Sequence, residues 1–546
     1  FNYRKLRSEL EGSYPFKTLS DTEVILQSYR KWGKGCCEHL EGQFAFAIWD
    51  GVEQSLFFAR DRMGEKPFYY SLLQENQGFI FASAINVLTS SGLISNEISK
   101  NSLAEYFRYQ SVTQPQTIFE EVWMLEAGCY GLWKNGQITI SKYYELKGKD
   151  AGYMQSLNYH QIKSGVKELL FAAVEKQMMS DVPLGAFLSG GIDSSAVVAV
   201  MSQLSDEKPR TFNIGFKEAS YDESFYAATV AQKFNTKHEK ITLSGDDLIA
   251  KIPSILSKMN GLSGDGPNTY IVSEAVKEAG ITVALSGLGG DDLFAGYDNM
   301  GKFKAIDRYS FLWQIPQPIR KTVANTLVKS GVGAKYQKLA TYGSKEKHNL
   351  ADFYCLTRAV FSEDEIRQLL GSNNDYPDHL NVQTKEILSS NKNLPLLGQY
   401  GIAELNGYTR NVLLKDADAM SMANSLEIRV PFFDHHLMEF ALGVPDKYKY
   451  DPNFPKKLLV ESLDGLLPME IVMRKKMGFS FPWDRWLRNE LASFVEEKIQ
   501  SLLQRNVVDH ISLNKMYADF KSGSNNVTWI KIWLIVVLES FLEKNI

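Results

Sequence analysis

The stretch Leu184-Gly-Ala-Phe-Leu188 runs directly into Ser189-Gly190-Gly191-Ile192-Asp193-Ser194-Ser195. An apolar strand, a glycine turn and an immediate helix start make an anion cradle. Gly190 and Gly191 let the backbone turn tightly and bring N–H groups close to phosphate oxygens. The following helix points its positive end at the same place. Ser189, Ser194 and Ser195 add hydroxyl donors. Asp193 repels phosphate directly but suits a Mg²⁺ that bridges phosphates. Neither G-x-x-x-x-G-K-[ST] nor G-x-G-x-x-G is present, so the two common nucleotide loops are excluded here. Taken alone, Ser-Gly-Gly is more often a plain strand–turn–helix with a serine cap.

A second segment repeats the logic. Ile281-Thr-Val-Ala-Leu285 ends in Ser286-Gly287-Leu288-Gly289-Gly290, and Asp291 and Asp292 follow. Ligands of open parallel sheets gather at the carboxyl ends of strands, so Asp291 is expected to meet Asp193 across one metal–pyrophosphate. One such turn could be a solvated acid pair. Two, each ending an apolar strand, weaken that reading.

The elements that must position these residues change along the chain. Residues 1–145 read as β-rich. Phe44, Phe46 and Ile48 alternate with Ala45, Ala47 and Trp49, the period of a strand. Further apolar runs at 56–59, 68–73 and 79–82 suggest hairpins in a layered sheet, and Asp21–Tyr29 has helical spacing. Residues 146–158 are polar and contain glycine, which predicts a linker between a domain at 1–150 and a domain at 160–546. Beyond it, strands at 182–188, 210–216, 238–243 and 281–285 alternate with helices at 161–179, 196–204, 223–234 and 270–279. That order predicts βαβ units and a parallel sheet. Residues 300–546 read mostly as helices.

Composition removes several classes. The 546 residues, 44% hydrophobic and 23% charged, suit two or three globular domains. Lys+Arg 60 against Asp+Glu 64 gives a net charge of −4, so no nucleic-acid partner is expected. Four cysteines without a C-x-x-C pair argue against a disulfide framework or a structural zinc, and fit a reducing, cytoplasmic setting. The apolar run Ile532–Leu538 falls far short of the ~20 residues of a membrane span, and no membrane partner is expected. The adjacent His435 and His436 follow Asp434 on an apolar helix and carry little promise as metal ligands.

With these strings in place, the chain resembles the glutamine-hydrolysing asparagine synthetases of the B type. The resemblance rests on Ser189–Ser195, Thr211–Phe216 with Tyr221–Ser224, Ser286–Tyr297, Asp418–Ala423, Glu427–Asp434 and Arg474–Phe479, in that order. It extends to Phe1–Arg7, Ser20–Val24, Gly42–Asp50 and Ala59–Tyr70. It implies an α/β protein: a layered αββα glutaminase-type domain (Ntn, with an N-terminal nucleophile), incomplete here, followed by a parallel-sheet ATP-pyrophosphatase domain with a helical C-terminal part. It also implies the reaction. ATP and Mg²⁺ adenylate the side-chain carboxylate of aspartate, pyrophosphate leaves, and ammonia displaces AMP to give asparagine. The partners are then small molecules (ATP, aspartate, glutamine or ammonia), with a homodimer left open.

Roles follow from the same resemblance. Ser189, Gly190, Gly191, Ser194 and Ser195 would bind pyrophosphate. Asp193 and Asp291 would hold Mg²⁺. Ile214, Ser286 and Gly287 would line the adenosine site. Lys476 matches a lysine facing the α-phosphate, although the basic run Arg474-Lys475-Lys476 alone would read as a solvated face. Asp21 matches an acid that recognises the amino group of glutamine; alone it would read as a helix cap.

Three departures stand out. The family's nucleophile is an N-terminal cysteine upstream of Phe1, and Cys36 and Cys37 do not match it. The chain as given is therefore expected to draw on ammonia, with glutamine serving the full-length protein. Leu288 stands where synthetases often carry glutamate, and leucine does no acid–base work. Met259-Asn260-Gly261-Leu262 replaces an acid followed by proline. The alternatives are a related adenylating ligase that closes lactams or amidates peptides or sugars, and a non-catalytic relative.

Overall fold

The computed structural model describes residues 1–73, 78–216, 223–329, 334–475, 481–524 and 527–546. In the N-terminal part, strands β1 (Ala45–Asp50), β2 (Ser55–Arg60), β3 (Tyr69–Leu72), β4 (Phe79–Ala82), β5 (Trp123–Met124), β6 (Cys129–Lys134) and β7 (Gln137–Lys142) build two antiparallel sheets. Their orders are β1-β2-β6-β7 and β4-β3-β5.

The alternation in β1 sorts the layers. Phe46 and Ile48 pack with Phe57 toward the helix Asp21–Trp32, through Ile25, Tyr29 and Trp32. Ala45 and Ala47 face the second sheet, where their small size leaves room for Phe58 and Phe68, stacked 5.1 Å apart. The far side of that second sheet, at Tyr69 and Met124, is covered by the helices Ile85–Thr89 and Lys100–Tyr109. The layers thus run α, β, β, α, as expected.

The second sheet system is parallel, with strands β8 (Leu184–Phe187), β9 (Arg210–Phe216), β10 (Lys237–Leu243), β11 (Val283–Leu285) and β12 (Glu427–Arg429) in the order β10-β9-β8-β11-β12. Four of these match the expected strands; β12 was not anticipated. Helices Tyr159–Met178, Ile192–Leu204, Ser224–Lys233 and Gly266–Glu278 alternate with them, and the helix Gly245–Lys258 joins that set. Residues beyond 290 are almost entirely helical, including a π-helical run, Leu405–Leu414, inside a long helical stretch.

The segment 146–158 is not a free linker. It holds the helix Ala151–Ser156, buries Leu146 and Met154, and its Lys149 N–H donates to the Glu439 carbonyl (2.8 Å). Two apolar side chains in a polar run suffice to dock it, because each lost hydration shell favours burial. Ion pairs also join the two halves: Lys66 to Asp418 (2.7 Å), and Lys176 to both Glu41 (2.7 Å) and Asp434 (2.9 Å). The terminal helix Trp529–Asn545 is buried in a core that it shares with the helices Ile85–Thr89 and Lys100–Tyr109, with Tyr106 O–H donating to the Leu534 carbonyl (2.8 Å). Among the described residues, no helix is long and apolar enough to cross a membrane.

Candidate active site

The two glycine turns leave neighbouring strands, since β8 pairs with β11 through Ala186 and Leu285. They then press against each other. Gly190 has φ +70°, and a Cβ there would lie 2.6 Å from the Ala227 nitrogen. A Cβ on Gly287 would lie 2.6 Å from the Ser194 nitrogen and 2.8 Å from the Asp193 carbonyl carbon. A side chain on Gly287 would force the two turns apart, and one on Gly190 would push the first turn off the helix Ser224–Lys233, which is why glycine stands at both.

Serines brace the first turn. Ser189 Oγ and Ser194 Oγ are 3.1 Å apart, Gly191 N–H donates to Ser189 Oγ (3.2 Å), and Ser194 Oγ donates to the Gly191 carbonyl (3.2 Å). Ser195 is fully buried, and its Oγ has no hydrogen-bond partner among the described residues. Helix Ile192–Leu204 begins at Gly191 with no side-chain cap, so its first N–H groups face the turn.

Asp193 and Asp291 converge from the two turns on one cation. Lys456 Nζ bonds the Asp193 carboxylate and lies 2.6 Å from Asp291 Oδ1. Lys456 is only 7% exposed and adopts φ +47°, at the start of the helix Lys457–Ser462. Burial works against its charge, but the two carboxylates outweigh that and raise its pKa. Gly296 keeps this corner open, because a Cβ there would collide with Asp291 and the Lys456 chain. Two hard oxygen donors from separate strand ends thus reach a single positive centre, an arrangement that also fits a divalent ion.

A second cation borders the turn. Arg474 Nη2 donates to Glu223 Oε1 (2.7 Å), its guanidinium lies 4.6 Å from the Tyr226 ring centroid, and its Nη1 is buried without a partner among the described residues. The same Nη2 would be 3.8 Å from a Cβ at Gly191. Burial raises the Glu223 pKa, with Arg474 opposing it.

Behind Asp291 lies a buried polar layer. Thr409 Oγ1, on the π-helical run, donates to Asp292 Oδ1 (2.7 Å), and burial pushes Asp292 up to about 8. Glu404 next to it accepts from Tyr400 O–H (2.6 Å), Tyr354 O–H (3.1 Å) and Arg358 Nε (3.0 Å). Asp292 is therefore not a solvated partner of Asp291 but part of the core that fixes the turn.

Of the sequence-derived residues, Ser189, Gly190, Gly191, Asp193, Ser194, Ser195, Ser286, Gly287 and Asp291 come together at these turns. Ser286 N–H donates to the Arg429 carbonyl (2.8 Å), which ties the second turn to β12. Ile214 lies on β9, buried among apolar side chains. Leu288 packs partly buried against the main core. Lys476 lies outside the described residues. Asp21 is exposed in the first turn of its helix, beside the Ser20 and Thr22 hydroxyls. Cys36 and Cys37 are both fully buried. The His435 and His436 ring centroids lie 3.9 Å apart with the rings tilted by 36°, and among the described residues no group of three potential ligands could hold a metal ion.

Lys456 and the contact of Arg474 were missed. Arg474 had a signal in the basic run; Lys456 sits in Asn-Phe-Pro-Lys-Lys, which carries no pattern.

An αββα layer joined to a parallel sheet with two opposed glycine turns is the build of a carbon–nitrogen ligase with an amidotransferase domain. The chain belongs to the asparagine synthase family: the Asparagine synthase profile covers residues 165–543, and that of the Glutamine amidotransferase domain covers residues 1–144. It is 31% identical over 505 residues to Asparagine synthetase [glutamine-hydrolyzing] 1 of Bacillus subtilis, spanning 92% of this chain and 77% of that one. It is 29% identical to a Putative asparagine synthetase [glutamine-hydrolyzing] of Mycobacterium bovis, over 98% of this chain and 82% of that one. Amidase chyE of Penicillium rubens is 26% identical over 94% of this chain and 79% of its own length.

Proposed function

We propose that the turns at 189–195 and 286–291 bind ATP and drive amide formation on the side-chain carboxylate of aspartate. The observation that carries this is the convergence of Asp193 and Asp291 on one cation between two glycine turns. A carboxylate oxygen of the acceptor attacks the α-phosphorus, the bond to the bridging oxygen breaks, and pyrophosphate leaves. Ammonia then attacks the acyl carbon, AMP departs with the electron pair of the C–O bond, and the nitrogen loses a proton to water or a nearby base. Adenylation is needed because a free carboxylate is a poor acceptor.

The chain's own groups divide this work. The N–H groups at Gly190, Gly191 and the start of helix Ile192–Leu204, with the Ser189, Ser194 and Ser195 hydroxyls, hold the departing pyrophosphate. Arg474 offers a buried guanidinium donor beside Gly191, where phosphate charge accumulates. Ser286 and Gly287 keep the second turn close enough for a nucleotide to touch both, and Ile214 lends an apolar wall. Lys476 is assigned the α-phosphate by resemblance. Asp193 and Asp291 would hold Mg²⁺; when bound, the ion neutralises phosphate charge. In the N-terminal domain, Asp21 is assigned to the amino group of glutamine, the source of the ammonia.

The test supplies purified protein with Mg-ATP, aspartate and ammonium. AMP, pyrophosphate and asparagine should appear together. Absence of pyrophosphate with every amino acid tried overturns the reading.

Leu288 favours a second reading, in which the acceptor is another carboxylate. Its side chain packs into the core, so the turn offers no acid at that point. Pyrophosphate release that ignores aspartate but responds to a different carboxylate would select it.

A further inference from the structure

The helical hairpin after the second turn carries apolar side chains that its own packing does not use. Its helices are Gln317–Lys329 and Ala334–Gly343, preceded by the 3-10 turn Ser310–Gln314. Two side chains lock it together. Arg320 donates to the carbonyls of Ile315, Gly343, Lys345 and Glu346, which pins the start of the first helix to the end of the second. Trp313 turns inward, with ring centroids 4.9 Å from Tyr342 and 5.0 Å from His348.

Its neighbours turn outward. Phe311 is 57% exposed, Ile319 55% and Val323 55%, and Leu312 and Ile315 are also in solvent. Ile319 and Val323 stand one turn apart on the face of the helix Gln317–Lys329, and Ile315 lies just ahead of that helix. Single exposed apolar residues are ordinary; five of them between Phe311 and Val323, on one braced hairpin, mark an interaction surface.

Charge says what covers it. Between Asp298 and His348 ten Lys and Arg stand against three Asp and Glu, in a chain whose net charge is −4. Arg308 and Lys321 neighbour these side chains along the chain and are exposed. Lys345 and Lys347, also exposed, are carried to the same end of the hairpin by the Arg320 bonds. A second copy of this surface would meet it with like charge. A surface that is apolar a few ångströms down and negative above matches both features.

We propose that the face formed by Phe311, Leu312, Ile315, Ile319 and Val323, with its basic surround, docks on an anionic lipid surface. The expectation of no membrane partner rested on the lack of a spanning segment, and adsorption needs none. This surface is independent of the amide chemistry proposed above, and neither depends on the other.

The test is co-sedimentation of the full chain with vesicles of phosphatidylcholine alone and of phosphatidylcholine with phosphatidylglycerol. Binding should require phosphatidylglycerol and weaken with added salt. The double variant Phe311→Ser/Ile319→Ser should bind about tenfold less, with ATP–pyrophosphate exchange unchanged. The variant Lys321→Glu/Lys345→Glu, which leaves the apolar side chains intact, should lose the preference for phosphatidylglycerol. No sedimentation with either vesicle, equal binding to both, or wild-type binding by both variants would overturn the proposal. So would a concentration-dependent dimer that the Phe311→Ser/Ile319→Ser variant abolishes, because the face would then belong to a second copy.

Discussion

Lys456 Nζ lies 2.6 Å from Asp291 Oδ1 and bonds Asp193 as well, so one buried ammonium holds together carboxylates that belong to two different strand ends. The contact spans the two turns that the parallel sheet places side by side, and it sets the resting geometry of the site.

Removing that ammonium leaves two carboxylates facing each other with little solvent. Lys456→Met should therefore destabilise the protein by about 3 kcal/mol, the usual scale for stranding a buried charge. Urea unfolding measures it. Mg²⁺ should recover part of the loss, because Asp193 and Asp291 would hold the ion in the lysine's place. An unchanged unfolding midpoint, with or without Mg²⁺, contradicts the assignment of Lys456 as their counter-cation.

The glycines of the turns differ in what they tolerate. Gly287→Ala places a methyl 2.6 Å from the Ser194 nitrogen, whereas a Cβ on Gly191 meets nothing closer than Ser189 Oγ at 3.3 Å. ATP–pyrophosphate exchange should fall about a hundredfold in Gly287→Ala, as expected for strain of a few kcal/mol at the reacting groups. Gly191→Ala should lose much less. Equal loss in the two would mean that turn contact is not what the glycines protect.

Much of this was readable from the chain because it is local. The apolar run Leu184–Leu188, the glycines and the helix start at Ile192 are contiguous, so strand, turn and helix follow from neighbouring residues. The same holds for Ile281–Asp291. β12 was not readable: three residues, Glu427–Arg429, become a strand only by pairing with Val283–Leu285, far back in the sequence. Lys456 was invisible for the same reason, since nothing near it announces carboxylates more than 160 residues upstream. The segment 146–158 was legible as the join between the halves but not as a docked one, because composition registers its polar residues while Leu146 and Met154 decide where it goes.

The junction of the two halves makes a testable pair. Lys66 and Asp418 meet at 2.7 Å, both largely shielded from solvent. A double-mutant cycle of Lys66→Met and Asp418→Asn should give a coupling of about 2 kcal/mol, because each single variant strands its partner's charge while the double strands none. Additive losses would show that the two side chains do not depend on each other.

Glu105 gives the stability a pH dependence of known sign. It is buried on the helix Lys100–Tyr109, accepts from Thr113 Oγ1 and from the Leu380 N–H (3.0 Å), and pairs with Arg108 (3.2 Å). Burial lifts its pKa to about 7, against the opposing pull of Thr113 and Arg108. An unfolded glutamate titrates near 4.3. The native state therefore binds the proton more tightly than the unfolded state. Below about pH 4 both states hold it and no stability is lost. As pH rises toward 7 the unfolded state ionises freely while the native one resists, so stability falls across that window and then levels. The full cost is about 4 kcal/mol. Glu105→Gln keeps an acceptor oxygen but cannot ionise, so its denaturation midpoint should gain on the wild type steadily from pH 4 to 7 and hold that gain above. A difference between the two proteins that stays constant over this range would show that Glu105 keeps its charge in the folded state.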